Sequence, residues 1–329
     1  MINEHYLEML GHKSVIRELA EYAAVRGREI GGENVFDFSL GNPSVPAPES
    51  FTDAAIRLLQ TEEPVRLHGY SPTLGIPSVK EKIAASLNRR FGMNYTAGHI
   101  FPASGCAGAV AHALRAVTKP GDKVLVQAPF FPEYIPYIND TGAQIEIIPA
   151  RFEDFQINFE ALEQMLQPGV AAILINSPNN PSGVAYTGET LEKLSSLLAA
   201  KSKELGYNLF LISDEPYREI AFGGREIPYP ARFYPHTLTC YSFSKSLSVP
   251  GERIGYVAVC PECEHAEDIV PMCGQISRGI GHNCPSSLIQ LAAAEAVDDT
   301  ADLSVYETNM ELFTGREPAF HDSFCCAAQ

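Results

Sequence analysis

The chain has 329 residues, of which 45% are apolar and 19% charged, a composition that fits a globular protein with a large core. Its formal net charge of −16 argues against nucleic acids and anionic membranes as partners, because both would repel the molecule as a whole. No apolar run approaches the roughly 20 residues that a membrane-spanning helix requires. Residues 1–19 carry charges throughout and lack the apolar centre of a signal peptide, which predicts a cytoplasmic protein.

The eight cysteines are scattered along the chain without a secretory signal, which predicts free thiols. Cys260 and Cys263 form one closely spaced pair, with Cys273, His282 and Cys284 further on. A second such pair with zinc-finger spacing is missing. We therefore interpret this stretch as a loop after a strand and predict no metal site.

Short aliphatic runs alternate along the chain with segments of helical periodicity. Near-continuous apolar runs predict strands that are covered on both faces. The predicted strands are Lys123–Pro129, Gln144–Ala150, Ala171–Pro178, Asn208–Pro216, Leu238–Ser244 and Tyr256–Cys260. Gly75–Phe91 and Gly188–Leu205 have the period of helices. Strand–helix alternation of this kind predicts an α/β protein with a mostly parallel central sheet.

Polar residues follow several of these strands, at the edge where α/β sheets bind their ligands. One further element places Ser104, Gly105 and Cys106 at the start of an alanine-rich helix. Each feature has a simpler interpretation as a turn, a helix cap or core packing. The strand-end residues are Phe131 with Tyr134, Asn180-Pro181-Ser182-Gly183, Asp214 with Tyr217, and Lys245 within Ser242–Lys245.

Together these residues supply what pyridoxal phosphate needs from a protein. Its aldehyde requires a lysine amine, and its ring nitrogen requires a carboxylate that keeps the nitrogen protonated. Its phosphate requires backbone N–H groups at a helix start and an arginine, and its ring requires a flat neighbour. The candidates are Lys245, Asp214, Gly105, Arg253, Phe131, Asn180 and Tyr217.

The chain resembles the pyridoxal-phosphate-dependent aminotransferases of class I/II, which have fold type I and include aspartate aminotransferase. Seven stretches between roughly residues 30 and 300 match the family in order and approximate spacing. They are DFSLGNPSVPAP, HGYSPTLGIPSVKEKIA, ASGCAGAV, PGDKVLVQAPFFPEY, NSPNNPSG, SDEPY and SFSKSLSVPGERIGY. The resemblance implies a homodimer that binds pyridoxal 5′-phosphate.

The resemblance also implies roles for residues around the cofactor ring. Lys245 matches the lysine that forms the aldimine, and Asp214 matches the partner of the pyridine nitrogen. Tyr217 and Asn180 match the residues that hydrogen-bond the phenolic oxygen, and Phe131 matches the aromatic residue that stacks on the ring. Lys245, Asp214 and Tyr217 are thus the expected catalytic residues.

Further matches concern the phosphate and the substrate. Ser242 and Arg253 correspond to phosphate ligands. Tyr70 corresponds to a tyrosine that reaches the phosphate of the neighbouring subunit, and Gly41, with Asn180, to the substrate pocket. The backbone cradle of the phosphate corresponds to Gly105, Cys106 and Ala107.

The expected reaction is transamination between an amino acid and a 2-oxo acid, with Lys245 as the general base. The style of the N-terminal motif weakly favours an aspartate-type donor. Three alternatives stay open: a carbon–sulfur β-lyase or aminocyclopropane carboxylate synthase on the same scaffold, and a cofactor-binding protein with impaired catalysis. A nicotinamide enzyme is disfavoured, because no G-x-G-x-x-G opens a helix after a strand.

The C-terminal residues depart from the family, whose members continue into a complete small domain with an arginine for the substrate carboxylate. Here Arg316 is the only arginine of the tail at 314–329, whose sequence resembles neither helix nor strand. We expect an N-terminal arm at 1–40, a large cofactor domain at 41–285, connecting helices at 286–313 and a disordered tail. An incomplete small domain predicts weak turnover.

Overall fold

Seven strands form one mixed sheet in the order β1-β7-β6-β5-β4-β2-β3. Neighbouring strands are parallel except at β7, which runs antiparallel to both β1 and β6. The α/β fold with a mostly parallel sheet is therefore confirmed. The strands are β1 (Ile100–Ala103), β2 (Lys123–Gln127), β3 (Gln144–Ile148), β4 (Val170–Asn176), β5 (Phe210–Asp214), β6 (Thr237–Ser242) and β7 (Gly255–Val259).

Six of these strands lie where the apolar runs predict them, and β1 is the one that the pattern misses. It has four residues, one of which is Pro102. A proline cannot donate to a strand ladder, so it is tolerated at the edge of a sheet but argues against a strand in a sequence. β1 is such an edge strand, since β7 is its partner.

This computed structural model describes residues 2, 4–10, 15–37, 39, 41–282 and 284–308. The described chain divides into two units, one up to Ser44 and one from Val45 onward. The first contains α1 (Glu4–Met9) and α2 (Val15–Ile30). The predicted tail at 314–329 lies outside the described residues, and the predicted domain limits stay predictions.

The helices of the second unit alternate with the strands. They are α3 (Glu49–Thr61), α4 (Pro64–His68), α5 (Pro77–Phe91), α6 (Gly105–Val117), α7 (Tyr134–Asn139), α8 (Phe159–Met165), α9 (Gly188–Leu205), α10 (Phe243–Ser246), α11 (Ala266–Ile280) and α12 (Ser287–Glu295). α5 begins at a proline, which suits the first turn because its missing N–H needs no partner there. Thr187 caps α9 by accepting a hydrogen bond from Thr190 N at 3.1 Å.

Two apolar clusters cover the two faces of the sheet. Val124 and Val126 of β2 belong to one cluster, and Leu125 between them belongs to the other. The second cluster includes Leu162 of α8 and Leu194 of α9, so helices pack on that face. Burial on both faces explains why the strands appear in the sequence as continuous apolar runs.

The strand directions decide where loop residues gather. Because β2, β4, β5 and β6 are parallel, their carboxyl ends meet at one edge of the sheet. β7 is antiparallel and begins at that same edge, where Gly255 pairs with Ser242. Among the described residues, no helix has both the length and the apolar composition needed to cross a membrane.

Candidate active site

Asp214 ends β5, the middle strand of the sheet, and pairs with Asn176 of β4 and Cys240 of β6. Its carboxylate is buried. The thiol of Cys106 donates to Oδ1 at 2.6 Å, and the phenol of Tyr134 donates to Oδ2. Burial raises the pKa of Asp214 to about 6, and the two hydrogen bonds act in the opposite direction.

Both donors to Asp214 keep their protons. Burial, and then the nearby charge of Asp214, raises the pKa of the Cys106 thiol and of the Tyr134 phenol well above their ordinary values. Cys106 lies in the first turn of α6, and Tyr134 is the first residue of α7. Two different helices therefore hold the carboxylate.

A chain of amide groups links the loops after β4 and β5. Asn176 Nδ2 donates to the carbonyl oxygen of Asp214 at 2.9 Å, and Asn176 Oδ1 accepts from Asn180 N at 2.6 Å. Asn180 Nδ2 in turn lies 3.3 Å from Tyr217 Oη. The structure thus brings together Asn180 and Tyr217, the two residues to which the resemblance assigns the phenolic oxygen of the cofactor.

Lys245 lies in α10, a single turn directly after β6. The predicted strand extends two residues too far, because the serine side chain at 242 ends it: Ser242 Oγ accepts from Ser244 N at 3.0 Å and caps the turn. Lys245 Nζ is 5.9 Å from the centre of the Tyr217 ring. Burial, and then the charge of Arg253, lowers the pKa of Lys245.

The start of α6 meets Arg253 at the same edge. Gly105 has φ +71°, and a Cβ at this residue would lie 2.5 Å from Arg253 Nη2. A Cβ on Gly255 would lie 2.3 Å from the carbonyl oxygen of Tyr241 and 3.0 Å from Gly105 C. Arg253 donates to the carbonyl oxygen of Ser104 at 3.4 Å. Only glycines allow this close approach.

A cavity of about 90 Å³ lies between these elements. The ring of Phe131 stands perpendicular to that of Tyr134, with centres 5.7 Å apart. The lining residues are Cys106, Ala107, Val110, Phe131, Tyr134, Tyr137, Asn176, Asn180, Asp214, Pro216 and Tyr217. The sequence predicts six of them as site residues: Cys106, Ala107, Phe131, Asn180, Asp214 and Tyr217.

Other predicted residues lie outside this lining. Ser242 is buried with its hydroxyl 2.6 Å from Ser244 Oγ, so it takes part in the turn that carries Lys245. Tyr70 follows α4, and its side chain is 99% exposed. Gly41 belongs to the N-terminal unit, which ends at Ser44.

Sequence patterns assign no role to Tyr134, Asn176 or the side chain of Cys106. Asn176 carries a usable signal, since it is a polar residue that ends the apolar run of β4. Tyr134 and Cys106 carry none, because a phenol and a thiol are ordinary core groups. The six cysteines among the described residues are free, as the sequence predicts. The described ranges contain no group of three His, Cys, Asp or Glu side chains that could hold a metal ion.

The seven-stranded mixed sheet with its flanking helices is the fold of the fold-type-I aminotransferases. The family model of aminotransferase class I and II matches residues 33–324, and the chain belongs to this family.

Two curated relatives carry aminotransferase names. The probable aspartate/prephenate aminotransferase of Aquifex aeolicus is 32% identical over 251 residues, which are 74% of this chain and 60% of that protein. The aspartate aminotransferase of Thermotoga maritima is 31% identical over 272 residues, covering 81% of this chain and 67% of the relative. The chain thus spans less than two thirds of the Aquifex relative.

Solved structures share the fold. An aminotransferase from Eubacterium rectale superposes with a TM-score of 0.92 at 40% identity, covering 96% of this chain and 79% of that one. The aspartate aminotransferase of Thermus thermophilus with maleate gives a TM-score of 0.76 at 25% identity, over 92% of this chain and 73% of the other.

Proposed function

We propose that the protein is a pyridoxal-phosphate-dependent aminotransferase that exchanges an amino group between an amino acid and a 2-oxo acid. One observation carries the proposal. A lysine with a lowered pKa and a buried aspartate, Lys245 and Asp214, lie at the same sheet edge on either side of Tyr217: Asp214 lines the cavity with Tyr217, and Lys245 Nζ is 5.9 Å from the centre of the Tyr217 ring. Amine and carboxylate are the two groups that this cofactor chemistry requires of a protein.

The residues at this edge fit the cofactor. Gly105 and Gly255 keep free the space that side chains would fill, and α6 begins there with Arg253 beside it. A helix start and an arginine are a suitable site for a phosphate. Phe131 offers a ring face, and Asn180 with Tyr217 offers donors for a phenolic oxygen.

When bound, the cofactor supplies an electron sink that stabilises negative charge at the α-carbon of the substrate. Asp214 then holds the proton on the ring nitrogen. Lys245 would hold the cofactor through its amine and would move a proton at the α-carbon, a role that its lowered pKa favours. Tyr217 and Asn180 orient the ring through its phenolic oxygen.

The relatives' names support an acidic or prephenate-type substrate pair, and we infer an aspartate-type amino donor. Ser242 and the Gly105–Ala107 backbone complete the phosphate site in this proposal. Asn180 contributes to the substrate pocket in this proposal, and the role that the resemblance implies for Gly41 stays a prediction. We further propose a homodimer in which Tyr70 reaches the phosphate of the second subunit, since its side chain is 99% exposed in the single chain.

The decisive experiment compares wild type with Lys245→Ala and with Lys193→Ala, whose lysine lies exposed on α9. Each protein is mixed with pyridoxal phosphate, reduced with borohydride, dialysed and digested. We expect the phosphopyridoxyl mass on the peptide that contains Lys245 in wild type and in Lys193→Ala. The Lys245→Ala protein should carry no such label. Specific labelling elsewhere, or none in wild type, would contradict the proposal.

A second measurement distinguishes transamination from the alternative reactions on the same scaffold. L-Aspartate is added to the loaded protein, and the products are identified. Oxaloacetate supports transamination, whereas ammonia and pyruvate from a cysteine-type substrate would indicate a β-lyase. Because the proton transfer at Lys245 accounts for about 10²- to 10⁴-fold in rate, Lys245→Ala should reduce oxaloacetate formation by at least that range.

A further inference from the structure

The thiol of Cys106 has a contact that a backbone role in phosphate binding does not require. Its Sγ lies 2.6 Å from Asp214 Oδ1, whereas Tyr134 contacts the other oxygen of the same carboxylate. The same thiol lines the cavity together with Phe131 and Tyr217. The side chain of Cys106 therefore touches the group that we assign to the ring nitrogen.

We propose that Cys106 is a positioning residue for the reaction, because its thiol fixes one oxygen of Asp214 and so keeps the ionised carboxylate directed at the cofactor's ring nitrogen. The proposal rests on the proposed function and adds a side chain to it. Cys106 acts through Asp214 and touches no reacting atom.

The surroundings of Asp214 explain why such a donor matters. Both donors to its carboxylate, the Cys106 thiol and the Tyr134 phenol, are neutral. Burial raises the pKa of Asp214 to about 6, so the carboxylate is held ionised at neutral pH by a narrow margin. A protonated Asp214 could not hold a proton on the ring nitrogen. The titratable groups that face Asp214 are Cys106 of α6, Tyr134 and Tyr137 of α7, Tyr217 of the following loop and Cys240 of β6.

The test measures dissociation constants for two probes in the substrate-free protein. One probe is pyridoxal phosphate, and the other is its carbocyclic analogue, in which C–H replaces the ring nitrogen. A group that acts through Asp214 affects only the first probe. The variants are Cys106→Ala, Cys106→Ser, which keeps a donor, and Cys263→Ser. Cys263 is a matched control, because it is a buried thiol that follows β7 at the opposite edge.

Losing a hydrogen bond to a charged group should weaken pyridoxal phosphate binding by Cys106→Ala about 10-fold at pH 7. Binding of the analogue should change less than about 2-fold, and Cys106→Ser and Cys263→Ser should stay near wild type. Without the thiol the pKa of Asp214 rises. As the pH is lowered, affinity for pyridoxal phosphate should therefore begin to fall at a higher pH in Cys106→Ala than in wild type.

Several results would overturn this role. Equal weakening of both probes would assign Cys106 to packing of the cradle, and unchanged affinity for both would leave its thiol without a role. If Cys106→Ala does not fold, Cys106→Val gives the same comparison with a fuller side chain and no donor. Failure of wild type to bind pyridoxal phosphate at all would instead contradict the proposed function, which the labelling of Lys245 tests separately.

Discussion

Asp214 and Glu215 are neighbours in the chain and both are buried, yet their carboxylates have different partners. We call the first set, Asp214 with Cys106 and Tyr134, the Asp214 cluster. The second set, Arg218 with Glu215, Glu219 and Arg90, is the Arg218 cluster. Neutral donors hold the carboxylate of the first cluster, and arginines hold those of the second.

The Arg218 cluster is an ionic network whose central guanidinium is buried. Arg218 donates to Glu215 at 3.0 Å and to Glu219 at 3.2 Å, and Arg90 also binds Glu219. The guanidinium of Arg218 lies 4.3 Å from the centre of the Tyr241 ring. Burial alone would raise the pKa of Glu219, but the two arginines lower it below its ordinary value. Burial raises the pKa of Glu215, although the charge of Arg218 acts in the opposite direction. These ion pairs hold the loop after β5.

The difference between the two clusters shows that the end of β5 and the loop after it contain both a stabilising ionic network and a carboxylate that can titrate. A buried carboxylate with neutral partners titrates near neutrality and can respond to a bound cation such as a protonated ring. A buried carboxylate with an arginine is committed to that arginine, and removing either partner leaves an uncompensated charge. We therefore expect changes in the Asp214 cluster to affect chemistry and changes in the Arg218 cluster to affect stability.

Asp214→Asn should have the largest effect, because it should slow the reaction while it increases the stability of the cofactor-free protein. The amide cannot hold a proton on the ring nitrogen, so we expect the reaction with L-aspartate to slow by about 10³-fold. The cofactor-free variant should nevertheless be more stable than wild type at pH 7.5, by on the order of 1–3 kcal/mol, because it lacks an ionised buried carboxylate.

The pH dependence of that stability difference has a definite sign. The folded-state pKa of about 6 lies above the ordinary value of 3.8, so the folded wild type binds more protons than the unfolded chain between these values. Wild type thus loses stability as pH rises through about 6, and the advantage of Asp214→Asn should shrink at pH 4.5. Urea unfolding at both pH values measures the difference in free energy of unfolding between the variant and wild type. A variant less stable than wild type at pH 7.5 would contradict this account.

Arg218→Met should have the opposite effect to Asp214→Asn: it should lower stability and leave cofactor binding nearly unchanged. Removing the arginine leaves the buried carboxylate of Glu215 without its ion-pair partner, whereas Glu219 keeps Arg90, so the free energy of unfolding should fall by about 3–5 kcal/mol. The folded fraction should still bind pyridoxal phosphate within about 3-fold of wild type, because the Asp214 cluster keeps its own donors. Urea unfolding and cofactor titration measure the two effects.

The matched control for Arg218→Met is Lys82→Met, which breaks the exposed pair of Lys82 with Glu295 at 2.8 Å. Exposed pairs contribute little, so this change should lower the free energy of unfolding by less than about 1 kcal/mol. Equal losses in the two variants would mean that the Arg218 cluster does not carry the stability assigned to it.

Alanine substitutions at two glycines with positive φ distinguish the effect of backbone strain from a direct effect on the phosphate site. Gly105 has φ +71° and Gly206 has φ +79°, so alanine should cost about 1–2 kcal/mol of stability at each. A Cβ on Gly105 would displace Arg253, whereas one on Gly206 would contact no heavy atom within 4 Å. Gly105→Ala should therefore weaken pyridoxal phosphate more than phosphate-free pyridoxal, and Gly206→Ala should affect neither. Equal effects on the two ligands would contradict this assignment.

The smallest effect is expected for Tyr134→Phe, which removes one neutral donor from Asp214. The titration midpoint of Asp214 in the cofactor-free protein should move upward by about half a pH unit. Carboxyl ¹³C NMR of labelled aspartate follows this titration. Tyr95→Phe is the control, because the Tyr95 phenol is also buried but bonds to Tyr229 at 2.8 Å. A similar shift in both variants would contradict a direct action of Tyr134.

Strand ends and cofactor motifs are predictable from the sequence because each depends on local information. Asp214 and Asn180 stand where an apolar run stops, and Gly105 opens a helix. Their positions at one edge follow from parallel strand direction alone. The amino-acid pattern therefore suffices for the fold class, and the pattern together with the family resemblance names six residues of the cavity lining.

The partners of these residues depend on packing between distant segments. Cys106 and Tyr134 meet Asp214 over separations of 108 and 80 residues, and nothing in their local sequence indicates a polar contact. The Arg218 cluster escapes prediction for the same reason. Its Arg90 comes from α5, and its charges resemble ordinary surface residues in the sequence.

Because β7 runs antiparallel to β6, the loop that joins these two strands begins and ends at the same edge of the sheet. Ser242 and Gly255 are register partners in adjacent strands, so the chain between them is a loop whose two ends are pinned side by side. Lys245 lies near one end of that loop and Arg253 near the other. The number of residues between them therefore works as a spacer, and inserting or deleting one would change the separation of amine and guanidinium without altering either residue. In the proposed cofactor site, one uninterrupted segment thus sets the distance between the amine for the aldehyde and the guanidinium for the phosphate.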